Sequence, residues 1–171
     1  MFLEIQNGME PHFYDPSEYI LLKDDLVLVL KFKGVYFSLS ETNQLSKTLS
    51  RHGISCDSPT IKRIAADSKR WKELWGMGIE THYVKMTPVG RWICSDGNVL
   101  KKNLTPYRTN KSNSFIQFET ATEVYDINRA EAVFKYFIDP EVDSTEIFWR
   151  DGNFNNCGVD NITTKNFKRE G

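Results

Sequence analysis

The hydrophobic period of this 171-residue chain changes twice, and that change restricts the fold more than any other feature. Residues 19–39, YILLKDDLVLVLKFKGVYFSL, alternate apolar and polar positions, the period of half-buried β-strands. Lys33-Gly34 interrupts the alternation and marks a bend or a bulge. Ser40-Glu41-Thr42-Asn43 then reads as a helix start with a Ser, Thr or Asn cap. Leu45 and Leu49 stand four apart, and Gly53 follows as the residue just past a helix end. Ser58 as cap and Pro59 in the first turn then open a second helix, with Ile61 and Ile64 on one face. A third helical stretch, DSKRWKELWG, sets Trp71, Leu74 and Trp75 on one side. From residue 81 the period returns towards two, through HYVKM, a hairpin in RWICSDGNVLKKNL that turns at Asp96-Gly97 or Gly97-Asn98, and SFIQFETATEVYDI. NRAEAVFKYFI reads as a helix capped by Asp126 or Asn128 and stopped by Asp139-Pro140. TEIFW is a last short strand. The expectation is an α+β protein with mixed or antiparallel strands. It divides into an N-terminal strand region (1–40), a basic helical segment (41–80) and an α+β domain (81–171).

Composition excludes several classes. No apolar run approaches the roughly 18 residues of a membrane span, and the start MFLEIQNGMEPHF lacks the basic and apolar regions of a signal peptide. Cys56, Cys94 and Cys157 are odd in number and form no CxxC pair, which argues against a disulfide framework or a zinc knuckle and for a reducing cytoplasm. The net charge of −1 conceals strong segmentation. Residues 1–25 hold one basic and six acidic side chains, residues 44–111 hold 13 and five, and residues 112–160 hold three and ten. A basic block between two acidic ones suggests a nucleic-acid face, because phosphate backbones bind basic surface through counterion release. The competing outcome is that acidic segments fold over the basic one and neutralise it.

Within that block, two short helices joined by GISCDSP have the pattern of a helix-turn-helix, whose second helix carries Thr60, Lys62 and Arg63. Lys62, Arg63, Lys69, Arg70, Lys101, Lys102 and Arg108 are the candidate phosphate contacts.

The segment WRDGNFNNCGVDN (149–161) holds four asparagines, two aspartates and no histidine. Read through Ile162 as DGNxNNxxxDNI, it resembles the signature of phage and intron-encoded His-Asn-His (HNH) endonucleases. The matching residues are Asp151, Gly152, Asn153, Asn155, Asn156, Asn161 and Ile162. Two earlier segments resemble family motifs in the same order: the turn at Ile93–Val99 and the helix at Ile127–Ile138. The likeness spans about residues 91–166. It implies a C-terminal ββα-metal-finger-like unit in which Asn161-Ile162 opens a short helix. The residue chemistry gives the amides a scaffold role: Asp-Gly-Asn turns the chain, and the following amides tie the loop to its own backbone.

The resemblance also shows what is missing. The family strand carries a metal-binding Asp and then the His that activates water. Here those positions are Phe148 and Trp149. A phenyl ring offers a hard cation no oxygen, and an indole N–H can only donate. A further family histidine corresponds to Asn128. Asp151 and Asn166 are the remaining candidates for catalysis or metal binding, with Asn166 spaced several residues too close. His12, His52 and His82 are isolated in sequence, and lone histidines are more often surface or core residues than bases. Trp71, Trp75 and Trp92 read as core or partner-facing anchors, while Trp149 is expected in a groove-facing cleft.

The resemblance therefore implies a DNA-binding protein derived from an HNH homing endonuclease, catalytically inactive, without cofactor, and acting as a phage regulator or host-interfering protein in the host cytoplasm. Two alternatives stay open. One is an active metal-dependent endonuclease with an altered site, which would use Mg²⁺. The other is an acidic inhibitor that binds a host protein.

Overall fold

In a computed structural model the described residues are 13–88, 90–106 and 115–164. Helices and antiparallel strands both contribute, so the class is α+β. The centre is a five-stranded antiparallel sheet, ordered β2-β1-β3-β4-β5, from β1 (Val27–Phe32), β2 (Val35–Ser38), β3 (Ile79–Met86), β4 (Trp92–Cys94) and β5 (Val99–Leu100). Lys33 and Gly34, at φ 50° and 83°, make a tight two-residue turn between β1 and β2. Positive φ at both positions matches the twist of the flanking strands, so the break in alternation is a turn and not a bulge.

Three helices cover one face: α1 (Thr42–Arg51), α2 (Ser58–Ala65) and α3 (Trp71–Gly76). Their apolar stripes, Leu45 and Leu49, Ile61 and Ile64, Trp71 and Leu74, bury against Leu30, Phe32, Phe37 and Ile79. Asp57, not Ser58, caps α2: its side chain accepts from the Thr60 amide at 3.0 Å. Ser58 lies inside the first turn, and its hydroxyl bonds Thr42 on α1.

A second core surrounds α4 (Arg129–Phe137). Asn128 caps it by accepting from the Glu131 amide at 2.8 Å. The hairpin of β6 (Phe115–Glu119) and β7 (Val124–Asn128), the β4–β5 turn, and the hairpin of β8 (Ile147–Trp149) and β9 (Ile162–Thr164) enclose the helix. That is why Ala130, Val133, Phe134 and Phe137 are buried together with Ala132 and Tyr136 on the other side. The N-terminal segment joins the same core. Ile20 is buried there, and the Leu21 and Leu22 amides both donate to the Phe137 carbonyl at 2.9 Å, closing the C-terminal end of α4. Residues 13–40 thus supply two strands to the sheet and a strap to α4. Ile162, where the resemblance implies a helix start, opens β9 and pairs with Trp149. The chain after Thr164 lies outside the described residues.

Candidate functional site

The helical layer sorts its charges by simple geometry. With Ile61, Ile64 and Ala65 facing the sheet, Lys62 and Arg63 must point outward, and both are exposed. Lys69 and Arg70 lie in a 3-10 turn, Ser68–Arg70, and are exposed too. Lys47, Arg51 and Lys72 extend the same outer surface. Arg70 is paired with Glu73 through two bonds, at 2.8 and 2.9 Å. The other six cations form no ion pair among the described residues. Among the described residues, no acidic side chain of 13–25 or 115–160 forms an ion pair with this layer. The exposed Asp139, Glu141, Asp143 and Glu146 follow α4 in the chain, and Asp143 lies near Glu131 and Lys135 on that helix. Lys101 and Lys102 are exposed, but they follow β5, the sheet edge opposite β2. The predicted cations therefore fall into two groups. Arg108 and Asn166 lie outside the described residues.

The asparagine-rich segment is the loop joining β8 to β9, organised around Asp151. Its Oδ1 accepts from the Asn153 amide at 2.8 Å and from Asn161 Nδ2 at 2.9 Å, and its Oδ2 accepts from Asn156 Nδ2 at 2.9 Å. Asn161 is buried and closes the ring: its Oδ1 accepts from the Asp151 amide at 3.1 Å, while Nδ2 also donates to the Asn156 carbonyl at 2.8 Å. Asn153 Oδ1 accepts from the Asn155 amide at 3.0 Å, and Gly152 turns at φ 75°. Partial burial would raise the Asp151 carboxyl, but these donors outweigh it and hold the group below the usual range. Both oxygens already serve the loop.

Phe148 points to solvent, 44% exposed. Trp149 lines a cleft of about 260 Å³ with Asn128, Arg129, Ala130, Phe154, Asn155 and Cys157. The Trp149 and Phe154 rings meet with centroids 4.7 Å apart. Arg129 fastens this region: one guanidinium nitrogen donates to the Gly97 carbonyl at 3.0 Å, the other to the Asn155 carbonyl at 3.1 Å. Beside it Gly97, at φ 96°, presses so closely on the next loop that a β-carbon would lie 2.6 Å from the Cys157 carbonyl carbon. The Val159 amide donates to the Ser95 carbonyl at 2.9 Å. Three segments distant in sequence, the β4–β5 turn, the start of α4 and the asparagine loop, thus meet at one joint. No histidine or carboxylate lines the cleft among the described residues. Burial raises the Cys157 thiol above its ordinary value, with the Arg129 charge opposing, so at neutral pH the sulfur keeps its proton.

The sheet face opposite the helices carries a buried polar centre that the sequence reading missed. Strand register sets Lys31 opposite both Tyr36 and Glu80, and His82 opposite Val29. Lys31 Nζ lies 2.9 Å from Asp96 Oδ2, which also accepts from the Tyr36 hydroxyl. Asn98 Nδ2 donates to that hydroxyl at 2.7 Å, and the Asn98 amide donates to Asp96 Oδ1 at 2.9 Å. Burial alone would raise the Asp96 carboxyl. Lys31, His82 and the Tyr36 hydrogen bond outweigh it and hold the group far below the usual carboxylate range. His82 Nε2 lies 2.7 Å from Glu80 Oε1, and Nδ1 lies 3.5 Å from Ser95 Oγ. That arrangement imitates a hydroxyl–imidazole–carboxylate relay. Ser95 and His82 are both 0% exposed, however, so no substrate reaches the hydroxyl. His82, Cys94 and Asp96 also bring potential ligand atoms within 4.8 Å of one another. Lys31 Nζ already pairs with Asp96 and Glu80 already holds His82 Nε2, so two of these three groups are engaged by neighbouring side chains. His52, at the end of α1, is exposed with Nδ1 2.9 Å from the Thr48 carbonyl, and His12 lies outside the described residues.

Among the described residues no helix is long and apolar enough to cross a membrane. No protein-family model, curated protein or solved structure matches the chain.

Proposed function

We propose that this chain is a nucleic-acid-binding protein, built on an HNH-type scaffold whose cleavage chemistry is gone, that holds DNA on its helical layer. The observation that carries the reading is the outer surface of α1–α3, where Lys47, Arg51, Lys62, Arg63, Lys69 and Lys72 stand exposed without an ion-pair partner among the described residues. Asp57, Asp67 and Glu73 are exposed on the same layer, but only Glu73 forms an ion pair there, so the cations stay in excess. Left open, this surface attracts phosphate and releases counterions. α2, with Thr60, Lys62 and Arg63, is the helix offered to a groove, as in a helix-turn-helix. Phe148 and Trp149 stand where the family keeps its metal ligand and base, and neither can serve. A phage regulator or host-interfering protein is the biological role that fits.

The test is fluorescence anisotropy with duplex DNA across a salt series. Six phosphate contacts predict a slope of log K against log[salt] of up to about −5. Replacing Lys62, Arg63 and Lys69 by Glu should flatten it by about three. An unchanged affinity and slope in that variant would refute the reading. A plasmid-nicking assay with Mg²⁺ or Mn²⁺ tests the loss of chemistry: cleavage that disappears in Asp151→Ala would establish the nuclease alternative. The exposed Asp139, Glu141, Asp143 and Glu146 favour a second reading, an acidic surface that binds a host enzyme. Capture from nuclease-treated lysate separates the two, because partners bridged by DNA are then lost.

A further inference from the structure

We infer that the cleft beside Trp149 binds a single unstacked nucleobase, so that the protein engages single-stranded as well as duplex nucleic acid. This rests on the nucleic-acid reading above and gives it a second contact, apart from the helical layer.

The cleft's chemistry points to a flat, neutral, hydrogen-bonding ring. Its volume of about 260 Å³ admits one base with solvent around it. Phe154 is the most exposed large apolar residue described, at 71%, and its ring stands against Trp149 at the cleft. A loop so thoroughly tied by Asp151 and Asn161 holds that ring out in water although nothing in the core requires it. Exposed aromatic faces of this kind are stacking platforms, useful for every base because each has a π face. The remaining lining is polar in the way base edges demand: the amides Asn128 and Asn155 can donate and accept together, and the Arg129 guanidinium is planar.

An unsatisfied polar atom lies at the same place. Arg129 Nε is buried without a hydrogen-bond partner among the described residues, while the Trp149 indole has only the Cys157 sulfur beside it. Buried donors are rarely left so, and where they are, function is a common reason. Charge does not forbid the site. Arg129 and the exposed Arg150 stand near the cleft. None of the exposed acids after α4 lines the cleft.

The experiment compares two single-stranded oligonucleotides of equal length, one containing 2-aminopurine among ordinary bases and one fully abasic, bound to the full chain. Both offer the same phosphates, so only base contact separates them. The base-containing strand should bind about 5- to 150-fold more tightly, the range for stacking one base on an aromatic platform, with 2-aminopurine fluorescence quenched. Phe154→Ala, a change at an exposed position, should abolish both the preference and the quenching. Lys62→Glu with Arg63→Glu should weaken both strands together and keep the preference. Equal binding of the two strands by the wild type, or a preference that survives Phe154→Ala, overturns the cleft assignment and leaves the helical layer standing. If neither strand binds, the cleft assignment falls, and the duplex salt series alone decides the helical layer.

Discussion

Replacing Lys31 by Met tests whether the buried polar centre holds the sheet together. Asp96 is 2% exposed at its side chain and Lys31 16%, with 2.9 Å between their charged atoms. At that distance the attraction is about 6 kcal/mol if the effective dielectric constant is about 20. Desolvation of both charges cancels much of it, so the intact pair contributes little net stability. Breaking it is another matter. Met fills the space of the lysine stem but leaves the carboxylate buried with only Tyr36, Asn98 and His82 to answer it. The expected cost is about 3 kcal/mol, the low end for a broken buried pair. At about 2–4 °C per kcal/mol for a chain of this size, the melting temperature should fall by about 6–12 °C. The pair Lys31→Met with Asp96→Asn should recover part of the loss, since the orphaned charge is then gone. The pH dependence has a definite sign. The folded Asp96 carboxyl is held below its unfolded value, so its contribution is fully present above about pH 4 and is lost as pH falls towards the depressed folded value. Urea titrations from pH 7 to pH 2 should therefore show an acid-side decline that Asp96→Asn lacks. A Lys31→Met cost below about 1 kcal/mol, as for a surface pair, with no recovery in the double variant, would refute the reasoning.

Three further substitutions probe the scaffold. Gly97→Ala places a β-carbon against the Cys157 backbone at a left-handed φ, and should cost about 2–4 kcal/mol by thermal melt. Asn161→Ala removes three hydrogen bonds from the loop, so a loss of about 2–4 kcal/mol is expected, with faster amide exchange confined first to residues 150–161. Asn128→Ala deletes the α4 cap and should cost about 1 kcal/mol in a denaturant titration.

Much of the fold was legible because it is locally written. The period change within Ser40–Asn43 marks the passage to helices, which begin there at Thr42, and Gly53, at φ 80°, follows α1 as the sequence implies. Asn128 was one of two caps named for α4, and the asparagine loop does tie itself with its own amides. Errors came where two local options are chemically close. Asp57 and Ser58 can both cap α2, and the choice went to the carboxylate once Thr42 had engaged the Ser58 hydroxyl. Ile162 fits a helix start or a strand; pairing with Trp149 made it a strand. The buried centre was invisible for a different reason. Lys31 and His82 are 51 positions apart in numbering, and only the register of β1 on β3 puts them on one face. The cleft likewise needs α4 and the asparagine loop to meet, which no run of either sequence declares.

The bond pair from Leu21 and Leu22 to the Phe137 carbonyl has a consequence for how the chain is made. A ribosome releases Ile20 long before it has assembled the helix that Ile20 will plug. Until then that side chain has no home, and the C-terminal core lacks one wall. Contacts so remote in sequence form slowly and late. The helical layer can settle while translation continues, but the joint bearing the cleft must wait for nearly the whole polypeptide to emerge.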